Sequence, residues 1–275
     1  STGPSPVLHL KAEYVGETSV NVMWVVNDTA SNSYMYRIEV KNGASVMNLM
    51  SNLTEVEITE LIPGMMYTCT VFAVGADGQT EGEGVSITLD TRPSPVLHLK
   101  AEYVGVTSIN LTWVVNDTAS SSYTYRIEVE NGASVMNLTS NLTEVEITEL
   151  IPGTVYNFTV FAVLAGGQTE GEGVSISQCT RPSPVLHLKA KYVGETSVNL
   201  TWVVNDTASS SYTYRIEVEN GASVMNLTSN LTEVEITELI PGTMYTFTVF
   251  AVVTGCQTEG EGVSITLDTS KSQFL

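Results

Sequence analysis

NVMWVVND at 21–28, NLTWVVND at 110–117 and NLTWVVND at 199–206 are near-copies of one octapeptide, and their spacing decides the fold. Trp24, Trp113 and Trp202 recur at an interval of 89 residues. A second anchor keeps the same register: LIPGMMY at 61–67, LIPGTVY at 150–156 and LIPGTMY at 239–245. A period of this length exceeds a helix pair or a propeller blade and matches a small domain with its own core. Three copies, over 4–92, 93–181 and 182–270, fill nearly all of the 275 residues.

Each copy reads as all-β. In the first, Leu8, Leu10 and Ala12 alternate with His9, Lys11 and Glu13, which places the leucines toward the core. Val20, Val22 and Trp24 alternate with Asn21 and Met23, and Tyr36, Ile38 and Val40 with Arg37, Glu39 and Lys41. Val56 and Ile58, the run Tyr67, Cys69, Val71 and Ala73, and Val85 with Ile87 continue the pattern. A period of two marks a strand with one buried and one wet face, and no stretch shows the helical period. Gly16, Asn27-Asp28, Asn42-Gly43, Pro63-Gly64, Gly75 and Gly82 supply turn chemistry between the runs. Six clear strands and a shorter one near Met47–Met50 make seven per copy, which predicts three tandem antiparallel β-sandwiches.

Composition bounds the function. Lys and Arg total 11 against 30 Asp and Glu, for a net charge of −19, while 43% of residues are hydrophobic. That apolar content can build three cores, so the chain is not a disordered acidic tail. The acidity disfavours nucleic acid and heparin-like polyanions as partners and suits either a basic protein or simple solubility. No run reaches the roughly 18 to 20 apolar residues of a membrane span, and the first residues lack the apolar region of a signal peptide. Eleven N-x-[ST] acceptor sites are present: Asn27, Asn52, Asn110, Asn116, Asn137, Asn141, Asn157, Asn199, Asn205, Asn226 and Asn230. Asn110 and Asn199 alternate with inward-facing Leu111 and Leu200, and Asn157 follows Tyr156, so these project outward as glycans require. The expected compartment is extracellular.

Catalytic chemistry finds no footing. His9, His98 and His187 fall one per copy at the same strand position, a domain apart, and cannot converge on a metal or a triad. Glu55/Glu57 and Glu81/Glu83 are read as open surface carboxylates, with calcium at Glu81 and Glu83 a remote alternative. Gly82-Glu83-Gly84 is too short to cradle a phosphate. No cofactor is expected.

The order of features (a proline-led first strand, tryptophan on the second, L-x-P-G-x-x-Y before a long sixth) resembles the fibronectin type III domain in all three copies. The resemblance implies that Tyr67, Tyr156 and Tyr245 form tyrosine corners, each hydroxyl bonded back to the preceding loop. PSPV-x-x-L-x-A, W-x-x-N-D-T-A-S and S-Y-x-Y-R-I-E-V look like the extracellular repeats of receptor-type tyrosine phosphatases. Such a phosphatase needs a cysteine followed six residues later by arginine, whereas Cys69, Cys179 and Cys256 are followed there by Gly75, Val185 and Gly262. The resemblance therefore implies a non-catalytic extracellular spacer and recognition segment, with protein partners in cis or trans and membrane attachment only through a transmembrane segment outside these residues. The alternative is a matrix array of the tenascin or fibronectin sort. A cytokine-receptor module lacks its W-S-x-W-S here, and Arg-Gly-Asp is missing. Leu-Asp-Thr at 89–91 and 267–269 is read as strand-end sequence.

Three departures from the repeat are cysteines. Cys69 replaces Phe158 and Phe247 and should be a buried free thiol. Cys179 replaces Asp90 and Asp268, and Cys256 replaces Gly78 and Gly167. In the resembled topology the loop of Cys256 lies at the pole of its own N-terminus, facing the junction that Cys179 enters, which makes them a candidate interdomain disulfide. The other reading leaves two exposed thiols, one pairing between molecules. The Thr-Arg-Pro-Ser-Pro junctions at 91–95 and 180–184 hold two prolines and no glycine and predict stiff joints.

Overall fold

The computed structural model describes residues 3–43, 45–166 and 169–271. The first repeat holds seven strands: β1 (Leu8–Val15), β2 (Val20–Val25), β3 (Met35–Asn42), β4 (Ser45–Ser51), β5 (Glu55–Ile58), β6 (Met66–Val74) and β7 (Val85–Asp90). The second repeats them as β8 (Leu97–Tyr103), β9 (Ile109–Val114), β10 (Tyr123–Glu130), β11 (Val135–Ser140), β12 (Glu144–Ile147), β13 (Val155–Leu164) and β14 (Val174–Cys179). The third comprises β15 (Leu186–Gly194), β16 (Ser197–Val203), β17 (Tyr212–Glu219), β18 (Val224–Ser229), β19 (Glu233–Ile236), β20 (Met244–Val253), the two-residue β21 (Thr258–Glu259) and β22 (Val263–Asp268).

Every repeat is a sandwich of two antiparallel sheets. In the first, β1-β2-β5 faces β4-β3-β6-β7, and the second has the same orders. In the third, both β21 and β22 pair with β20. The strand near Met47–Met50 is not short: β4 spans seven residues against four in β5.

Three cores sit between the sheets. Trp24 is buried and meets Tyr36 edge-on at 5.2 Å, and Trp113–Tyr125 and Trp202–Tyr214 repeat that contact at the same distance. Each indole N–H is buried without a hydrogen-bond partner, so apolar contact with the facing sheet holds the ring. Cys69 fills the position of Phe158 and Phe247, all three fully buried, and burial pushes its thiol up to about 11. The tyrosine corners are present: the hydroxyls of Tyr67, Tyr156 and Tyr245 accept the N–H of Ile62, Ile151 and Ile240 at 2.9, 2.9 and 3.0 Å.

One strand departs from its expected phase. β1 pairs Leu8 with Val25 but Lys11 with Met23, three steps on one strand against two on the other. The extra residue is a bulge at His9, whose φ of 53° lies in the left-handed region. A one-residue slip exchanges the two faces of a strand. Val7 is accordingly buried and Leu8 is 42% exposed, correcting the inward placement of Leu8. Val96 with Leu97 and Val185 with Leu186 behave alike, with His98 and His187 also at φ 53°.

Candidate functional site: the joints and the sheet faces

The joint between consecutive repeats is built twice from the same parts. Thr91 is fully buried: its Oγ1 donates to the Ile62 carbonyl at 2.6 Å and accepts the Met65 N–H at 2.9 Å. Thr180 does the same with Ile151 and Thr154, at 2.6 and 3.0 Å. These bonds tie each linker to the L-I-P-G loop behind it. On the far side, the Ser94 N–H donates to Asp117 Oδ2 at 2.9 Å, and that carboxylate also accepts the Tyr123 hydroxyl at 2.6 Å. Ser183, Asp206 and Tyr212 repeat the arrangement at 2.8 and 2.7 Å.

The two sides meet at a glycine. A Cβ on Gly64 would lie 2.5 Å from Tyr123 Cζ, and one on Gly153 would lie 2.5 Å from Tyr212 Cζ. Both glycines have positive φ, 65° and 61°, as the turn demands. Gly242, at φ 69° in the third repeat, has nothing within 4 Å of such a Cβ. Burial, then the hydrogen bond to Asp117 or Asp206, raises the pKa of Tyr123 and Tyr212. Tyr34, their half-buried counterpart in the first repeat, is pushed up to about 12, chiefly by its hydrogen bond to Asp28.

Beyond this shared core the joints differ. At the first, the Arg92 Nε–H donates to the Glu170 carbonyl at 3.2 Å. At the second, the Arg181 guanidinium lies 4.8 Å from the Tyr103 ring centroid, and the Tyr103 hydroxyl is 3.3 Å from Thr258 Oγ1. Cys179 and Cys256 are joined in a disulfide there, with Cα atoms 6.4 Å apart.

The outer face of the larger sheet in each repeat carries an arginine cluster. Arg37 bonds Glu81 through two nitrogens at 2.8 and 2.7 Å and lies 4.0 Å from the Phe72 centroid. Arg126 with Glu170 and Phe161, and Arg215 with Glu259 and Phe250, repeat it. Glu81 is thus not an open carboxylate; the Arg37 guanidinium holds its pKa low, and calcium would have to displace that partner. Gly84 lies flat against Phe72, where a Cβ would come within 2.5 Å of the ring. Gly82 meets the backbone of Pro4. The Gly-Glu-Gly motif is therefore a packing device. Neither its glycines nor the Arg37–Glu81 pairing, 44 residues apart, was visible from local patterning, although Arg and Glu recur at that offset in all three repeats.

Nine of the eleven acceptor asparagines are exposed: Asn27, Asn52, Asn116, Asn137, Asn141, Asn157, Asn205, Asn226 and Asn230. Asn110 and Asn199 are half-buried on β9 and β16. Asn137 and Asn226 accept Arg126 and Arg215 through Oδ1, at 2.8 and 2.7 Å, which leaves the amide nitrogen that would carry a glycan unengaged by those contacts. Leu89 and Thr91 are buried, so Leu-Asp-Thr at 89–91 is strand-end packing. His9, His98 and His187 are exposed, and among the described residues no group of three His, Cys, Asp or Glu is placed to hold a metal. No helix among those residues is long and apolar enough to cross a membrane.

Sandwiches of this strand order, tyrosine corner and tryptophan define a class of small all-β modules, and the family comparison names it: the fibronectin type III domain model covers residues 5–88, 93–177 and 182–266, so the chain belongs to that family. It is 66% identical over 274 residues to receptor-type tyrosine-protein phosphatase eta of Gallus gallus, spanning all of this chain and 19% of that protein. To receptor-type tyrosine-protein phosphatase H of Homo sapiens it is 30% identical, over 96% of this chain and 24% of the relative. To tenascin of Mus musculus it is 24% identical, over 88% and 12%. The chain spans about a fifth of the length of the phosphatases it matches.

Proposed function

We propose that these residues form a non-catalytic extracellular spacer and recognition segment of a cell-surface receptor of the receptor-type tyrosine phosphatase kind, divided at 4–92, 93–181 and 182–270. The observation that carries the reading is the joint. Two linkers are anchored at both ends and sealed by the same glycine–tyrosine contact, which suits a segment that holds distance and direction. The eleven acceptor sites and the likeness to phosphatase eta support the compartment and the parent class. The Cys179–Cys256 bond acts here as a staple across the second joint, which an oxidising compartment permits. Partners are proteins, met in cis or trans along the strand faces and loops. Phosphatase chemistry belongs to other parts of such a receptor.

The likeness to tenascin favours a second reading, a matrix array, which would use the same spacing and glycans without a membrane anchor. Small-angle scattering of the secreted chain tests the spacer. Strands of eight or nine residues at about 3.3 Å each give three modules in line a length of roughly 90–100 Å. A compact particle, or a chain secreted without glycan, overturns the reading, and surface labelling of cells expressing the parent gene separates receptor from matrix protein.

A further inference from the structure

The first repeat has an edge strand without the central glycan acceptor that its sisters carry. Among the described residues β4 pairs with β3 on one side and has no strand on the other, and its ladder runs from Tyr36↔Ser51 to Asn42↔Ser45 without a register break. Such an edge presents unpaired backbone groups and is ordinarily blunted by charge, proline, a bulge or a cover. β11 and β18 occupy the same edge position, and each carries a glycan acceptor at its centre, Asn137 or Asn226. In β4 that acceptor is gone, because Met50 stands where Thr139 and Thr228 complete the others, leaving Asn48 in Asn-Leu-Met. Asn157 on the same face of the second repeat is Thr68 in the first.

Two further changes fall on this face. Met35, in place of Thr124 and Thr213, is exposed, and Met50 is 56% exposed, beside a Val46 that is as exposed as its counterparts Val135 and Val224. Lys41 replaces Glu130 and Glu219 and pairs with Glu39 at 2.6 Å, while Arg37 pairs with Glu81. Charge near the edge therefore balances, on a chain of net charge −19. In the second repeat one Arg126 faces Glu128, Glu130 and Glu170.

We propose that β4 is a self-association edge: two copies of this chain pair β4 to antiparallel β4 about a two-fold axis through Asn48, joining two four-stranded sheets into one of eight. The sequence of the edge is self-complementary in that register. Val46 and Met50 lie two residues either side of Asn48 on one face, so each meets the other across the axis, and Asn48 meets Asn48. A two-fold contact of this kind consumes both β4 edges, so the pairing closes at two copies and leaves no β4 edge to extend it. The two Glu39 carboxylates stand three strand spacings apart, about 14 Å. That exceeds the Debye length of about 8 Å at physiological salt, so they do not oppose the contact. The other repeats cannot compete once their edges carry glycan. The proposal goes beyond the spacer reading and uses it only for that glycan.

Sedimentation velocity of the chain secreted from glycosylating cells, from roughly 10 µM to 1 mM, is the test, because a single edge pair buries far less than a stable dimer's roughly 1,200 Å². The wild-type chain is expected to dimerise reversibly, and more tightly as salt rises from low to physiological and screens the net charge. Val46→Lys places a charge opposite Met50, and Met50→Thr restores the Asn48 acceptor. Both positions are exposed, so each variant should melt like the wild type and sediment as a monomer throughout. A wild-type monomer at the highest concentration overturns the proposal and leaves the edge to a different protein, and so does a dimer that survives either variant. If Met50→Thr acquires no glycan, the secretory reading fails, while Val46→Lys still decides the edge.

Discussion

Alanine at Gly153 and at Gly242 is one substitution in two surroundings, and the difference isolates the joint. Both residues sit in the same Pro-Gly turn with φ of 61° and 69°. An alanine forced into that left-handed conformation costs about 1–2 kcal/mol at either site. At Gly242 nothing lies within 4 Å of the new methyl, so the cost ends there. At Gly153 the methyl lands 2.5 Å from Tyr212 Cζ. Tyr212 has no easy retreat, being buried with its hydroxyl on the carboxylate that also holds the Ser183 N–H. Relief of such overpacking costs a further 1–3 kcal/mol or so, or is avoided by opening the joint. Scanning calorimetry should show Gly242→Ala lowering only the third transition, by roughly 4–8 °C per kcal/mol for a domain of this size. Gly153→Ala should add to the same backbone cost a wider spread of interdomain angles in small-angle scattering. Adding Tyr212→Ala should remove the extra effect, as a coupled pair requires. Equal melting shifts for the two glycine variants, with unchanged scattering, would refute the sealed joint.

Trp113→Ala should cost about 3–5 kcal/mol in the second module alone, since the ring is buried against Tyr125; an unchanged middle transition in calorimetry rules out that role. Cys256→Ser removes a link between residues 77 apart, worth about 4–5 kcal/mol of chain entropy in the denatured state. The variant should melt like reduced wild type with the first module unmoved, and a non-reducing peptide map that recovers both cysteines alkylated contradicts the bond. Raised tyrosine pKa values mean that the folded state resists ionisation. Stability should hold below the ordinary tyrosine pKa of 10.0 and fall as pH climbs toward about 12 for Tyr34 and higher for Tyr123 and Tyr212, seen by denaturant titration beside tyrosinate absorbance. Asp77 is held down to about 2 by Thr80 and the neighbouring backbone, and Arg37 lowers Glu81. Those contributions are present above the ordinary carboxylate range and are lost as pH falls below it, which acid melting curves should register.

The fold was readable wherever the physics is local. Alternation along Val20–Trp24 and Tyr36–Val40 fixes a buried face, and L-I-P-G-x-x-Y brings a hydroxyl to a backbone N–H five residues back. Phase fails at β1 because the bulge inserts a residue with no glycine or proline to mark it: His9 itself takes the left-handed position. The arginine clusters were hidden because Arg37 and Glu81 lie on elements far apart in sequence that only the assembled sheet brings together. The joint was half legible. Its prolines stand out in the chain, but Gly64 reads as turn chemistry alone, and its second duty appears only when Tyr123 of the next module arrives beneath it.

That second duty bears on how the array is built. The tyrosine–aspartate–serine cluster exists in the first module too, where the described residues place no turn glycine against Tyr34: its hydroxyl donates to Asp28 at 2.5 Å and the Ser5 N–H reaches Asp28 Oδ2 at 3.4 Å. At the occupied joints the corresponding N–H contacts shorten to 2.9 and 2.8 Å, and the tyrosines pass from half-buried to buried. The receiving face is therefore largely formed before docking, and docking adds burial with little ordering of side chains, which keeps the entropy cost of a joint low. Two joints made from the same preformed face against the same glycine turn should share one resting geometry. The disulfide acts on the second alone, so bending under load should concentrate at Thr91–Pro95, next to the module whose edge strand lacks a central acceptor.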